Sequence, residues 1–413
     1  MKEGWVRSNL LFPHTKENKD GAAIQITPRE RLLRYGQWLQ GTLFSLLEAQ
    51  AGPLWEKARL VVAVLEMVPL ARQLPCARGC LGRPAKDRQA LASAFLAKSV
   101  YGLSTTRQLL QQLRTDRQLR CLCGWTSARQ IPHESTFSRA FQEFAETELP
   151  QRLHEALIVH TQQGRLIGHI ARDSSAIAAR ERMQASPQRK TKAKRKRGRP
   201  CSGQAALCGT RLPRQRRQSL AQMLAELPRR CSLGVRKGSS EHQQCWAGYK
   251  LHLDVADGQI PISCLLTAAS LHDSQVAIPL ATMTAQRVTS LYDLMDCPYD
   301  ANHIRAHSRS LAHVPLIAVR GCEPPIPKQV QASLRRYHKR RQAPTRYARK
   351  QPPFTPAEQQ RFQERTMVER VYSRLKDEFG ARTVRVRGAH KVMTHLMFGV
   401  LALTVDQLLK LTG

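Results

Sequence analysis

Three carboxylates stand out in a chain otherwise dominated by cations. Asp173 closes the apolar run 166–171, Asp296 closes the run 290–295, and Glu369 lies in a helical pattern spanning 356–379. Carboxylates converging from such elements bind hard divalent cations through oxygen, the donor type that Mg²⁺ prefers. A pair of ions roughly 3.5–4 Å apart activates a water or a 3′-hydroxyl and stabilises the leaving oxygen of a phosphodiester. Taken singly, each acid is equally a cap, a turn or an ion-pair partner, and Asp257, Asp293 and Asp300 are rivals of the same kind. The helical pattern narrows the choice. Thr355-Pro356-Ala357-Glu358 is a capping-box start with proline at the first helical position, and Gly380 is a natural stop. At about 100° per residue, Phe362, Arg365, Glu369 and Lys376 project within about 60° of one another. A carboxylate, two cations and an aromatic on one stripe suit a surface that holds metal beside phosphates. A salt-bridged helix face is the other reading the spacing allows.

The elements that must position these residues are of two textures. Up to about residue 158 the pattern is helical: 90–98, 104–114 and 135–145 carry apolar residues at three- and four-residue spacing, with Leu109, Leu110 and Leu113, then Phe137, Phe141 and Phe144, on single faces. Pro132 and Ser135-Thr136 punctuate a turn before the last of these, with Arg129, Arg139 and Arg152 nearby. That fits a helix-turn-helix and fits a helical scaffold or dimerisation domain equally well. From Arg165 strands take over. After the first run, Tyr249, Leu251, Leu253 and Val255 alternate with polar residues, Asp257-Gly258 signals a turn, and 260–267 returns, which is a β-hairpin. Further strands are expected at 290–295 and 313–319, with a helix at 274–286. The order strand, hairpin, helix, strand, strand, helix fits an RNase H-like α/β core, and generic mixed α/β orders fit it as well. The expected organisation is a helical domain over 1–160 and an α/β domain over 161–413.

Two basic segments interrupt the second domain, at about 180–245 and 320–355. The window 189–199 (RKTKAKRKRGR) cannot fold against its own repulsion and is expected to be a mobile arm. Its Arg197-Gly198-Arg199-Pro200 matches an AT-hook core, in which arginines enter a narrow minor groove, although plain phosphate binding accounts for such a run too. The 320–355 segment is rich in proline and cations and reads as a loop on phosphates. Over all 413 residues, 66 Lys and Arg against 31 Asp and Glu give a formal charge of +35. With 42% hydrophobic residues the chain still builds a core, which excludes a wholly disordered basic tail and makes nucleic acid the first partner to consider. Residues 1–20 show no export signal, so a cytoplasmic, nucleoid-associated location is expected. The apolar stretch 392–409 is broken by His395, Asp406 and Gln407 and reads as a buried helix, with no membrane partner. Eleven scattered cysteines argue against a disulfide framework. Cys76/Cys80 and Cys121/Cys123 lack zinc-site spacing.

At this point the residues resemble a family. Phe362-x2-Arg365-x3-Glu369-x6-Lys376 is similar to the YREK signature of the DDE transposases encoded by bacterial insertion sequences. The blocks 90–125, 172–182, 245–275, 292–301 and 368–380 extend the resemblance over most of the chain. It implies an RNase H-like catalytic domain behind a helical transposase domain. Asp173, Asp296 and Glu369 would be the catalytic, metal-binding acids for two Mg²⁺ ions, with Mn²⁺ able to substitute. Arg365 and Lys376 would hold DNA phosphates near the cleaved end. The implied partners are double-stranded DNA, as terminal inverted repeats and target, and a second copy of the chain in a homodimer on DNA. Phe362 stands where the family has Tyr, which keeps stacking and removes a hydroxyl-to-phosphate bond. Cys297-Pro298 stands where related sequences commonly have small residues and Gly. Two other classes stay open: a metal-dependent nuclease or recombinase with the same acids that does not join ends, and a non-catalytic DNA-binding descendant of a transposase.

Overall fold

The structure, a computed structural model, describes residues 43–74, 86–183, 211–237, 243–319 and 354–411, together with Glu30, Leu33, Arg34, Gln37 and Trp38. The basic run 189–199 with Arg197 and Arg199, the segment 320–353, and Cys76 and Cys80 lie outside the described residues.

The first half is helical where its apolar residues recur at three and four. The principal helices are α1 (Glu56–Met67), α2 (Arg88–Val100), α3 (Thr106–Thr115), α4 (Glu134–Glu146) and α5 (Leu149–Gln162). Asp87 caps α2 by accepting from the backbone N–H groups of Gln89 and Ala90, and Thr105 with Gln108 forms a capping box at α3. The phenylalanine face of α4 turns inward. Phe137, Phe141 and Phe144 close around Phe95 of α2 at centroid distances of 5.9, 4.9 and 6.2 Å.

The second half is built on one six-stranded sheet: β1 (Leu166–Ala178), β2 (Ser232–Lys237), β3 (Gln243–Ala256), β4 (Ile260–Ala268), β5 (Thr289–Met295) and β6 (Val314–Ile317). β1 is central. It runs antiparallel to β3 and parallel to β5, and β6 continues parallel beyond β5. β2 pairs with the first half of β3 and β4 with its second half. Where β3 changes partner, Gly248 lies so close to β1 that a Cβ would meet the carbonyl oxygen of Ile177 at 2.2 Å, so this crossing requires glycine. An antiparallel three-strand meander followed by two parallel strands is the arrangement of an RNase H-like sheet, as expected.

The remaining helices flank the sheet: α6 (Arg211–Gln215), α7 (Leu220–Ala225), α8 (Ser274–Ala285), α9 (Asn302–Ser310), α10 (Pro356–Gln363), α11 (Thr366–Asp377) and α12 (Ala389–Lys410). α12 is long and apolar enough to cross a membrane, yet most of it is buried inside the protein. It packs on α1, α2, α4 and α5 as well as on β4, and its Phe398 stacks on Phe95 at 5.9 Å. The helical half and the sheet therefore share one continuous apolar core.

Three local readings change. β1 does not end at Asp173: five further residues stay paired to β3, because hydrogen bonding, not apolar pattern, carries the strand onward. The stretch 180–245 includes α6, α7 and β2 rather than an uninterrupted polar insertion. The helix expected over 356–379 is two helices, with i to i−3 hydrogen bonds from Glu364 to Arg361, from Arg365 to Phe362 and from Met367 to Glu364 tightening the joint.

Candidate active site

Parallel pairing of β1 with β5 sets Arg172 opposite Met295. One residue further on, Asp173 stands beside Asp296, the residue that follows β5. Asp296 leads into a 3₁₀ turn, Cys297–Tyr299, with Pro298 in its first turn and Tyr299 buried beneath. On the Asp173 face, α11 lies across β1 and β3 through Met367, Val368, Val371, Tyr372 and Leu375. The Tyr372 hydroxyl lies 2.9 Å from the carbonyl oxygen of Asp173 and 2.8 Å from that of Leu251, so it can donate to both strands where the first acid sits.

Arg365, at the start of α11, joins two of the acids. Its Nε lies 3.3 Å from Asp296 Oδ1 and its Nη2 lies 2.9 Å from Glu369 Oε1. Its third nitrogen, Nη1, is buried with no hydrogen-bond partner among the described residues. Asp173 accepts from the Ser174 backbone N–H at 2.7 Å. Burial pushes the Asp173 carboxyl up to about 6; the Ser174 hydrogen bond opposes that, the neighbouring Asp296 adds to it and Arg365 opposes it. Lys376 reaches the same strand face two residues along and donates to Ser175 Oγ at 2.7 Å, rather than pairing with Glu369 or Asp377. Burial, then Arg382 and Arg236, hold its ammonium below the usual lysine range. Phe362 packs on Phe354 at 5.0 Å, and the Arg365 guanidinium lies 5.9 Å from its ring. The structure thus gathers Asp173, Asp296, Glu369, Arg365, Lys376 and Phe362 around the middle of β1, the end of β5 and the α10–α11 joint.

The rival acids are engaged elsewhere. Asp300 is held by Arg305 at 3.0 Å. Asp293 is buried, 3.4 Å from His313 Nδ1 and 4.0 Å from Arg172. Arg172 points to the opposite face from Asp173 and makes a two-pronged bond to Asp254 at 2.8 and 2.7 Å, with Thr284 donating to the same carboxylate at 2.6 Å. This fully buried cluster ties β1, β3 and α8 together behind the acids. Sequence reasoning missed it and missed the Tyr372 hydroxyl. The available signals were an arginine inside an apolar run and a tyrosine on the buried stripe of α11.

Among the described residues no three His, Cys, Asp or Glu side chains are grouped closely enough to hold a metal as they stand. Arg365 occupies the space between Asp296 and Glu369. The donor set nonetheless suits a hard cation: three carboxylates, one of them disfavoured as an anion by burial and a like-charged neighbour, which is the cost a bound cation offsets.

Two transposase family models match the sequence. Residues 53–143 match the Transposase domain (DUF772). No curated protein and no solved structure matches the chain. Residues 169–405, more than half of the chain and all of the sheet but the first three residues of β1, with α11 and most of α12, match the Transposase DDE domain, and the chain belongs to that family of transposases.

Proposed function

We propose that this transposase binds the terminal inverted repeats of a bacterial insertion sequence, cuts the DNA strands at their ends and joins them to target DNA. The observation that carries this reading is the convergence of Asp173, Asp296 and Glu369 around Arg365 where β1 and β5 meet α11. Asp173, Asp296 and Glu369 would hold two Mg²⁺ ions, or Mn²⁺ in their place. When bound, such ions lower the pKa of an attacking water or 3′-hydroxyl and neutralise charge on the leaving oxygen. The chain's own side chains do the rest. Lys376 and Arg365 place cations where a phosphodiester bears negative charge, and Phe362 offers a face on which a base stacks. Tyr372 fixes the backbone that carries Asp173. The helical half, over about 1–160, contributes end binding or pairing of two copies on DNA, and the basic run with Arg197 and Arg199 adds phosphate or minor-groove contacts. A cytoplasmic, nucleoid-associated location follows from that substrate.

A carboxamide keeps the shape of each acid and removes its charge. Asp173→Asn, Asp296→Asn and Glu369→Gln are each expected to abolish strand cleavage of end-containing duplex in magnesium or manganese, while gel-shift affinity for that duplex stays within about twofold. Undiminished cleavage by any of the three would remove that acid from the site.

A further inference from the structure

Beyond the acids, at the far end of β1, the chain builds a second cationic surface around one carboxylate. Glu181 receives hydrogen bonds from the Tyr249 hydroxyl and, at 3.0 Å, from the Gly388 backbone N–H, and its carbonyl oxygen lies 3.8 Å from Cys231 Sγ. The end of β1, the start of β2, the middle of β3 and the segment leading into α12 are therefore pinned at one point. The side chains around that point are arginines. Arg180 and Arg182 flank Glu181, Arg385 and Arg387 precede Gly388, and all four are exposed. Arg236 on β2 and Arg382 extend the group toward Lys376, whose ammonium senses both. Among the described residues Arg382 is paired with Asp377, while Arg180, Arg182, Arg236, Arg385 and Arg387 have no carboxylate partner.

Unpaired like charges gathered on a pinned backbone repel one another, a cost that a polyanion offsets by exchanging its counterions for arginines. Arg180 and Arg182 follow the strand that carries Asp173, and Arg236 and Arg382 lie close enough to Lys376 to act on its ammonium, so a duplex passing the acids on the Lys376 side would continue over this surface. We infer that this arginine surface is a sequence-independent docking track for the phosphate backbone of double-stranded DNA, with Glu181 as the anchor that shapes it. The inference rests on the transposase reading for its choice of DNA, but it does not depend on the three acids being catalytic.

The test uses the full chain, a random-sequence duplex and EDTA, so that neither cleavage nor end recognition enters. Replacing Arg180, Arg182, Arg385 and Arg387 by Gln together should reduce the log–log salt slope of binding by roughly 3–4, at about 0.9 per phosphate contact. A comparison variant lacking the exposed Arg216, Arg217, Arg309 and Lys410, which lie outside the helical half, carries the same change in net charge. An unchanged slope, or an equal fall in the comparison variant, overturns the track. Glu181 separates anchoring from charge. Removing a carboxylate from a DNA-binding surface should tighten binding by charge alone, whereas loss of the anchor should weaken it. Glu181→Ala is expected to bind several-fold more weakly and Glu181→Gln, which keeps an acceptor for Gly388, at least as tightly as the parent. Tighter binding by Glu181→Ala overturns the anchoring role. Acid variants that still cleave, together with a flattened salt slope for the arginine variant, would defeat the catalytic assignment and leave the track standing; the converse pattern would do the reverse.

Discussion

At the scale of single residues, Arg365 pairs with both Asp296 and Glu369, and among the described residues its Nη1 is buried without a hydrogen-bond partner. A divalent ion approaching those carboxylates meets both a competitor for their oxygens and a like charge. At about 4 Å in a well-solvated setting the repulsion between a divalent ion and a guanidinium is about 2 kcal/mol, or roughly thirtyfold in affinity. Arg365→Gln is therefore expected to bind Mn²⁺ about thirtyfold more tightly in the DNA-free protein, as read by electron paramagnetic resonance of free Mn²⁺, and to cleave more slowly because a phosphate ligand is lost. Weaker Mn²⁺ binding would show that Arg365 organises the acids instead of competing for them. Among 31 acids the sequence singled out Asp296 and Glu369, with Arg365, only through the helix stripe and the family resemblance. The bridge itself was not legible, since a straight helix puts Arg365 and Glu369 on one stripe but says nothing of Asp296 on a strand end.

At the scale of elements, the helices over 106–115 and 134–146 follow from periodicity because each buries one face, whereas those over 88–100 and 274–285 are buried on most sides and show in sequence as apolar runs, and the hairpin shows by its alternation and turn. The joint between α10 and α11 does not. Neither Gly nor Pro marks Glu364-Arg365, and the tightening comes from tertiary packing of α11 on the sheet while α10 stays exposed. Likewise the continuation of β1 past Asp173 depends on β3, which the local sequence does not see. Helix and strands are coupled through Tyr372. Tyr372→Phe keeps the packed ring and removes the hydroxyl bonded to Asp173 and Leu251, so it should cost about 1 kcal/mol in denaturant melts. Cleavage should fall further than that stability loss accounts for, because the backbone of the first acid loses its support, while duplex binding holds. Equal and small losses in both would leave Tyr372 a purely packing residue.

At the scale of the whole molecule, histidines buried without charge join the parts. His154 on α5 contacts the carbonyl oxygen of Pro261 at 3.1 Å, and His395 on α12 that of Gly380 at 3.2 Å. Burial drives both imidazoles down to about 3, with Arg287 and Lys98 respectively pushing the same way, and burial takes His252 to about 4. Folded values below the ordinary 6.5 mean that these groups favour the fold fully above pH 6.5 and lose that contribution as pH falls toward 3. Each can steepen the acid limb by up to about 1.4 kcal/mol per pH unit. Melting followed by circular dichroism should drop continuously from pH 6.5 to 4, and His154→Gln should flatten that limb. A limb of unchanged slope would remove His154 from the acid sensitivity.

The seat of α12 has a consequence for how the chain is made. The helix whose Phe398 fills the phenylalanine cluster of α2 and α4 is synthesised last among the described elements, after everything between Gln162 and Ala389. At about 5–20 residues per second, the first helices emerge and wait tens of seconds with their apolar faces uncovered. Until α12 arrives, the growing chain is a client for chaperones, and a ribosome that stops short of it releases a product whose phenylalanine cluster is left open where Phe398 would close it.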